Sequence, residues 1–320
     1  MSSATHHSSA KKNEPAIIVD SLTRHFGDVV ALDALSLHVN GGELFGIVGP
    51  DGAGKTTTLR LLAGVMRPTR GDASVLGISV ARDPERVKHH IAYMSQRFGL
   101  YGDLTVHENI HFYADLYGVP NATRPARIER LYDFSKLGPF AGRLAAQLSG
   151  GMKQKLSLCC ALIHEPDVLL LDEPTFGVDP ISRRELWLIV HEMVARGMTA
   201  VVSTAYLDEA ERCDRVALLQ DGRLAALDVP PRLQARLHGR AMAFECDAPR
   251  RAAAILQRHR GVRSAALYGE SLHVTVERAE VTSELEQLLI TERIVVRAVR
   301  PLDPSLEDVF IDLTSEANAA

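Results

Sequence analysis

Short apolar runs alternate with helically spaced ones along most of the chain. Ala16 to Leu22 reads as a strand and Val29 to Val39 as a second, with Arg24-His25-Phe26-Gly27-Asp28 as the turn between them. Glu43 to Val48 is short, apolar and turn-bounded, the pattern of a buried parallel strand. Lys55 to Gly64 has apolar residues at helical spacing. Thr69-Arg-Gly-Asp72 predicts a turn, Ser74 to Leu76 a short strand, and Val87 to Met94 leads on to Gln96. From Gln96 to Gln147 the pattern is helical, and Thr105-Val-His-Glu108 is a capping box that opens one helix. This stretch predicts a helical insertion outside the main sheet. A long helix follows from Met152 to His164, then the wholly apolar strand Val168 to Leu171, which ends in Asp172-Glu173. Val178-Asp179-Pro180 opens a helix through Val194, Thr199 to Ser203 is again a buried strand, and Asp208 to Cys213 is helical. Val216 to Gln220 and Arg223 to Ala226 flank Asp221-Gly222 as a hairpin.

Val229-Pro230-Pro231 breaks the chain, and the pattern changes beyond it. Strand Ala241 to Cys246, helix Pro249 to Arg260, strands Val262 to Tyr268 and Ser271 to Glu277 about Gly269-Glu270, helix Thr282 to Ile290 and strand Ile294 to Val299 give the order βαββαβ. That order is a split-βαβ, ferredoxin-like unit. Pro304-Ser-Leu-Glu-Asp308 then caps a last amphipathic helix through Leu313. The expected organisation is a loose tail over 1–14, a large α/β domain over 15–228 with its helical part at about 97–147, a small α+β domain over 229–315, and a second tail over 316–320. No internal repeat and no second phosphate loop is present in the sequence.

Composition changes this picture little. The chain has 320 residues, ordinary apolar and charged fractions, and a net charge of −4, which gives no general case for nucleic-acid binding. No run approaches the roughly 18 apolar residues that span a bilayer. The Ser/His/Lys-rich start, Met1 to Lys12, lacks the apolar core of a signal peptide. Cys159, Cys160, Cys213 and Cys246 show neither metal nor disulfide spacing; the first two lie in an apolar helical stretch, as buried thiols do. The expected compartment is the cytosol.

The chemistry sits where strands end. Gly49-Pro50-Asp51-Gly52-Ala53-Gly54-Lys55-Thr56, with Thr57 behind it, matches the G-x-x-x-x-G-K-[ST] phosphate loop between a strand and a helix. Its glycines let backbone N–H groups face phosphates at a helix N-terminus, Lys55 reaches the β- and γ-phosphates, and the Thr56 hydroxyl ligates Mg²⁺. Leu148-Ser149-Gly150-Gly151 opens a long helix and makes another anion-friendly N-terminus. Asp172 and Glu173 lie just past the end of an apolar strand, where α/β sheets bind ligands. Asp172 there holds Mg²⁺ through water, and Glu173 orients the attacking water. Phe26 has two readings, a core aromatic or a stacking surface for adenine, and periodicity favours the core.

Together, from Ala16 to Leu227, these motifs resemble the ATP-binding subunits of ABC transporters. The phosphate loop, Gln96, Leu148-Ser-Gly-Gly-Met152, Leu169-Leu-Leu-Asp-Glu-Pro174 and Gly177-Val-Asp-Pro180 occur in that family's order and spacing. The resemblance implies an ABC-type ATP-binding domain, with ATP and Mg²⁺ bound and two such domains facing head to tail. Ser149, Gly150 and Gly151 then serve the partner's γ-phosphate, and Asp179 lies at the interface. Gln96 joins Thr56 and Asp172 at the metal, senses the γ-phosphate and signals to the membrane subunit, and Phe26 takes the adenine-stacking place. More narrowly, Tyr93-Met-Ser-Gln-Arg-Phe-Gly-Leu-Tyr-Gly-Asp-Leu-Thr105 and the appended domain with Pro304-Ser-Leu-Glu-Asp-Val-Phe310 resemble drug and polyketide exporters of the ABC-2 type. Such chains work on the cytoplasmic face beneath a separate permease, often with a periplasmic adaptor.

Two residues depart from the family's pattern. Asp51 replaces an asparagine in the phosphate loop, and Ala205, in Ser203-Thr204-Ala205-Tyr206, replaces the histidine that contacts the γ-phosphate. Alanine donates no side-chain hydrogen bond. Two readings follow: an ATPase that powers small-molecule export, slowed by Ala205, or a hydrolysis-poor subunit that lends its signature to a partner with a complete site.

Overall fold

The structure is a computed structural model that describes residues 14–96, 99–237, 239–269 and 271–319, omitting the side chains of 315–319. The tail expected over 1–14 lies almost wholly outside the described residues, as do Arg97, Phe98 and Glu270. Two units divide the chain. One runs through Ala205 and takes in Leu219–Leu224; the other comprises Tyr206–Leu218 and Ala225–Ala320. The second unit thus begins on the N-terminal side of the Val229 break.

In the first unit, β1 (Pro15–Phe26) and β2 (Val29–Asn40) form an antiparallel pair. The turn expected over Arg24–Asp28 is shorter than that: Phe26 still pairs with Val29, and only Gly27, at φ +58°, and Asp28 make the bend. β3 (Leu44–Val48) is buried throughout and feeds the phosphate loop and α1 (Lys55–Leu62). β4 (Arg70–Val75), β5 (Ile78–Ser79), α2 (Pro84–Lys88) and β6 (Ile91–Met94) follow. β4 replaces most of the turn expected at Thr69–Asp72. It pairs with β1, and Gly71 sits so close to that strand that an added Cβ would lie 2.3 Å from the Ser21 carbonyl oxygen.

The helical insertion comprises α3 (Val106–Leu116) and α4 (Arg124–Ser135). Thr105 and Glu108 cap α3 reciprocally. The fully buried Asn109 accepts from Tyr101 N–H and donates to the Tyr101, Leu104 and Thr105 carbonyls, which pins the segment after Gln96 to α3. α5 (Gly150–Leu162), β7 (Val168–Asp172), α6 (Pro180–Ala195) and β8 (Thr199–Thr204) complete the ordered elements before the second unit begins. That unit continues through α7 (Leu207–Ala210), β9 (Arg215–Gln220) and β10 (Arg223–Asp228), the last two divided between the units.

The central sheet runs β10-β9-β3-β8-β7-β6, with β3–β8, β7–β8 and β6–β7 parallel. β3, β7 and β8 are buried at every residue, which explains their unbroken apolar character. Parallel strands carry their loops at one edge, so the phosphate loop, Asp172-Glu173 and Ser203-Thr204-Ala205 emerge side by side.

Past Val229, Pro230 starts α8 (Pro230–Ala235), where a missing N–H costs nothing. β11 (Ala241–Cys246), α9 (Pro249–Leu256), β12 (Val262–Tyr268), β13 (Ser271–Val276), α10 (Val281–Thr291) and β14 (Val296–Pro301) form a sheet ordered β12-β13-β11-β14, the split-βαβ arrangement. Phe244, Leu256, Leu272, Val274, Leu285 and Leu289 are its core. α11 (Leu306–Ala319) runs past the expected end at Leu313. Ser305 and Asp308 cap it, and its buried Asp308 and Asp312 reach His273 and Arg263 of the sheet. Among the described residues no helix is long and apolar enough to cross a membrane, and all four cysteines are buried. Burial pushes the Cys159 thiol up to about 12, so it is inert at neutral pH.

Candidate nucleotide site

The phosphate loop is built for close backbone approach. Gly54 sits at φ +99°, and a Cβ there would meet the Leu32 side chain at 2.6 Å and the Ala31 carbonyl at 2.8 Å. Gly52 is also left-handed, at φ +82°, while at Gly49 a Cβ would lie 2.3 Å from the Leu219 carbonyl oxygen. Ala53 N–H closes the loop onto the Pro50 carbonyl, Ala53 is buried and Asp51 is exposed. Among the described residues no side-chain hydrogen bond caps the N-terminus of α1, whose N-cap is Gly54. Its first N–H groups and the helix dipole are therefore available to an anion.

Lys55 is almost fully buried, and its ammonium donates to the Gly49 and Pro50 carbonyls at 2.8 and 3.1 Å. The same nitrogen lies 3.2 Å from Glu173 Oε1. Gln96 Nε2 donates to the other oxygen of that carboxylate at 3.0 Å. Glu173 is thus gripped from both sides. Its backbone is left-handed as well, at φ +49°, a conformation that costs a residue with a Cβ roughly 1–2 kcal/mol. Local strain of this kind is characteristic of functional sites.

Asp172 is 1% exposed and accepts three hydroxyl donors. Thr56 and Ser203 donate to Oδ1 at 2.9 and 2.8 Å, and Tyr93 donates to Oδ2 at 3.2 Å. Burial, then the neighbouring carboxylate, pushes the Tyr93 phenol up to about 12, so it stays a donor at any working pH. Thr56 and Asp172 are hard oxygen donors close together, a pair that suits Mg²⁺ completed by phosphate and water. Thr57, next on α1, is half-buried.

Phe26 is 44% exposed at the end of its hairpin and lies outside the core that periodicity favoured. The guanidinium of Arg24 stands 4.6 Å from its ring centroid. Ser149, Gly150 and Gly151 belong to a separate group. The Ser149 hydroxyl accepts from Met152 N–H and so caps α5, and Gly150 faces the Gly177 carbonyl. Asp179 caps α6 by accepting from Ile181 and Ser182 N–H; the Ser182 bond first, then its neighbours, hold the carboxyl below its usual range. Gly151 packs so tightly on α6 that a Cβ would come 2.1 Å from Ser182 Oγ and 2.2 Å from Ser182 Cβ. Gly151→Ala is therefore expected to cost about 1–3 kcal/mol of stability, read as a lower thermal midpoint. Adding Ser182→Gly should recover part of that loss; no recovery would mean that the contact is not the cause.

Ala205 is exposed and follows β8 directly. Ser203 and Tyr93 are the site residues that motif reading missed. A cavity of about 310 Å³ lies elsewhere, at the other ends of β7 and β8, lined by Leu131, Phe134, Met193 and Thr199 among others. Its Arg127 and Arg130 are both paired with Glu165, and it contributes nothing to this cluster.

The family described as ABC transporter matches residues 32–176. A Paraburkholderia xenovorans LB400 protein named Nod factor export ATP-binding protein I is 36% identical over 311 residues, 94% of this chain and 97% of that one. The chain belongs to the ABC transporter ATP-binding family. It is an ATP-binding cassette, an ATPase domain, built on the ABC-type α/β fold with its antiparallel strand subdomain. An Escherichia coli K12 protein named "Probable multidrug ABC transporter ATP-binding protein YbhF" is 41% identical over 96% of this cassette, which spans 54% of that protein's length. A solved ATP-binding subunit of an ABC transporter, 32% identical, superposes with a TM-score of 0.63 over 69% of the cassette and 92% of that chain. A dimeric cassette in a post-hydrolysis state bound to ADP and Pi, 25% identical, gives 0.61 over 67% of the cassette and 98% of that chain.

Proposed function

We propose that this cassette hydrolyses ATP to power export of a small, drug-like or hydrophobic molecule through a separate ABC-2 type permease. It works from the cytoplasmic face of the membrane, beside a second ATP-binding domain and, in some assemblies, a periplasmic adaptor. The observation that carries its hydrolytic part is a pair of bonded groups at one edge of the sheet, Thr56 with Asp172 and both Lys55 and Gln96 with Glu173, joined through the Ser203 hydroxyl. A relative named for Nod factor export supports the direction of transport, and one named as a multidrug transporter protein supports a drug-like cargo.

In this reading the loop from Gly49 to Thr57 binds the phosphates and Phe26 stacks on adenine. Lys55 turns from Glu173 towards the β- and γ-phosphates. Thr56, Asp172 and Gln96 hold Mg²⁺, which supplies neutralising charge to the phosphates when bound. Glu173, released from Lys55, orients water. The water oxygen bonds the γ-phosphorus as the bond to the β,γ-bridging oxygen breaks; ADP leaves and the water's proton passes to the Glu173 carboxylate and on to solvent. Ser149, Gly150 and Gly151 complete the partner's site, with Asp179 at the interface. The C-terminal split-βαβ unit is an accessory domain.

Steady-state ATPase assays of the purified chain beside Lys55→Ala test this. Turnover in the parent should drop at least about 10²-fold in the variant, since both binding and transition-state charge are lost. Equal rates in the two proteins would refute the site. Ala205 favours a second reading, in which this chain is the weak half of a heterodimer; its mark is a nearly silent parent that still binds ATP.

A further inference from the structure

The C-terminal end of β8 carries a group that the phosphate-loop, signature and metal-ligand roles leave unassigned. Ser203 is completely buried beside Asp172, its register partner in β7. Its hydroxyl donates to Asp172 Oδ1 at 2.8 Å and accepts from Glu173 N–H at 3.0 Å, while its own carbonyl accepts from that same N–H at 3.1 Å. One residue thus fixes the peptide at which the chain turns left-handed and from which the Glu173 side chain departs. Two residues further on, position 205 is alanine and has no side-chain donor to offer.

We propose that Ser203 is a positioning residue for hydrolysis, holding Glu173 in the orientation that aligns water, in a chain whose position 205 cannot. The proposal rests on Glu173 having that role. The competing role is simple satisfaction of a buried carboxylate, and the geometry separates the two. In Ser203→Ala, Asp172 keeps the Thr56 and Tyr93 hydroxyls, and Glu173 N–H keeps the Ser203 carbonyl. No buried group is orphaned, so folding and nucleotide binding should survive while the turn at Glu173 loosens.

The test compares parent, Ser203→Ala, Ser203→Thr and Glu173→Gln, with kcat and KM for ATP, affinity for a fluorescent ATP analogue, thermal midpoint and single-turnover rates. Ser203→Ala should lower kcat about tenfold, or ~1.4 kcal/mol in barrier, with KM and analogue affinity within about twofold. Ser203→Thr, which keeps the hydroxyl, should recover most of the rate. In single turnovers, Ser203→Ala should add little once Glu173 is Gln, because residues acting as a unit are not additive. An unchanged kcat in Ser203→Ala overturns the proposal. So does a loss expressed in KM, or a full tenfold loss repeated in the Glu173→Gln background. If Ser203→Thr does not fold, that last comparison still decides. Unchanged turnover in Glu173→Gln itself overturns the underlying role of Glu173, an outcome distinct from an inert Ser203→Ala beside a slow Glu173→Gln.

Discussion

Glu173→Gln lowers kcat for ATP by about 10²–10³, within the range that a positioned base contributes, and leaves KM for ATP unchanged or lower. The two halves of that result have different causes. Gln keeps the shape of the side chain and can still meet Gln96, but it cannot accept a water proton or polarise the water as a carboxylate does. The rate therefore falls. Binding moves the other way because Glu173 is ion-paired with Lys55 at 3.2 Å in a nearly buried setting. Arriving phosphates compete with that carboxylate for the ammonium, and a neutral Gln offers weaker competition. A kcat loss at unchanged KM marks an interaction made only in the transition state, and a lower KM beside it marks relief of the ground-state competition for Lys55. A rise in KM with kcat preserved would instead make Glu173 a binding residue.

The parts of the site that were legible in the sequence are those in which chemistry is local along the chain. Gly49 to Thr57 is one loop, and the left-handed backbone of Gly52 and Gly54 is a demand made within it. Asp172 and Glu173 were readable because four apolar residues precede them, a run that only a buried strand explains. Ser203 and Tyr93 were not readable in this way. Each reaches Asp172 from a neighbouring strand, through the parallel register that sets Ser203 opposite Asp172 and Tyr93 opposite Leu170. Register is a tertiary fact, and a serine at the end of an apolar run looks like a strand terminus.

Phe26 shows the same limit. Period-two alternation assigns a side chain to one of two faces and cannot say which face of a hairpin tip is covered. Gly71 is a further case: a turn-forming pair in sequence becomes strand because β1 lies near enough to accept it. In the C-terminal unit the order βαββαβ was legible from spacing alone. The length of α11 was not, since its last residues carry no apolar stripe to mark them.

Ala205→His raises turnover by up to about 10²–10³-fold, the amount that loss of one preorganised donor typically removes. The site is otherwise assembled: Asp172 has its three hydroxyl donors, Glu173 is held by Lys55, Gln96 and Ser203, and the loop glycines have their φ values. Position 205 is exposed immediately beyond β8, so a larger side chain meets no packed core there and should not cost stability. The added donor stands at the end of the strand that already holds the Glu173 peptide. Lys55→Ala in the same background should abolish the gain, which ties the effect to the nucleotide. If the parent is slow and histidine restores it, the chain is a cassette weakened at one residue, and a partner with a complete site accounts for transport. If the parent is already fast and histidine adds nothing, hydrolysis proceeds without that donor. Glu173, steadied by Ser203, then carries the orientation of water alone, and two copies of this chain suffice for one permease.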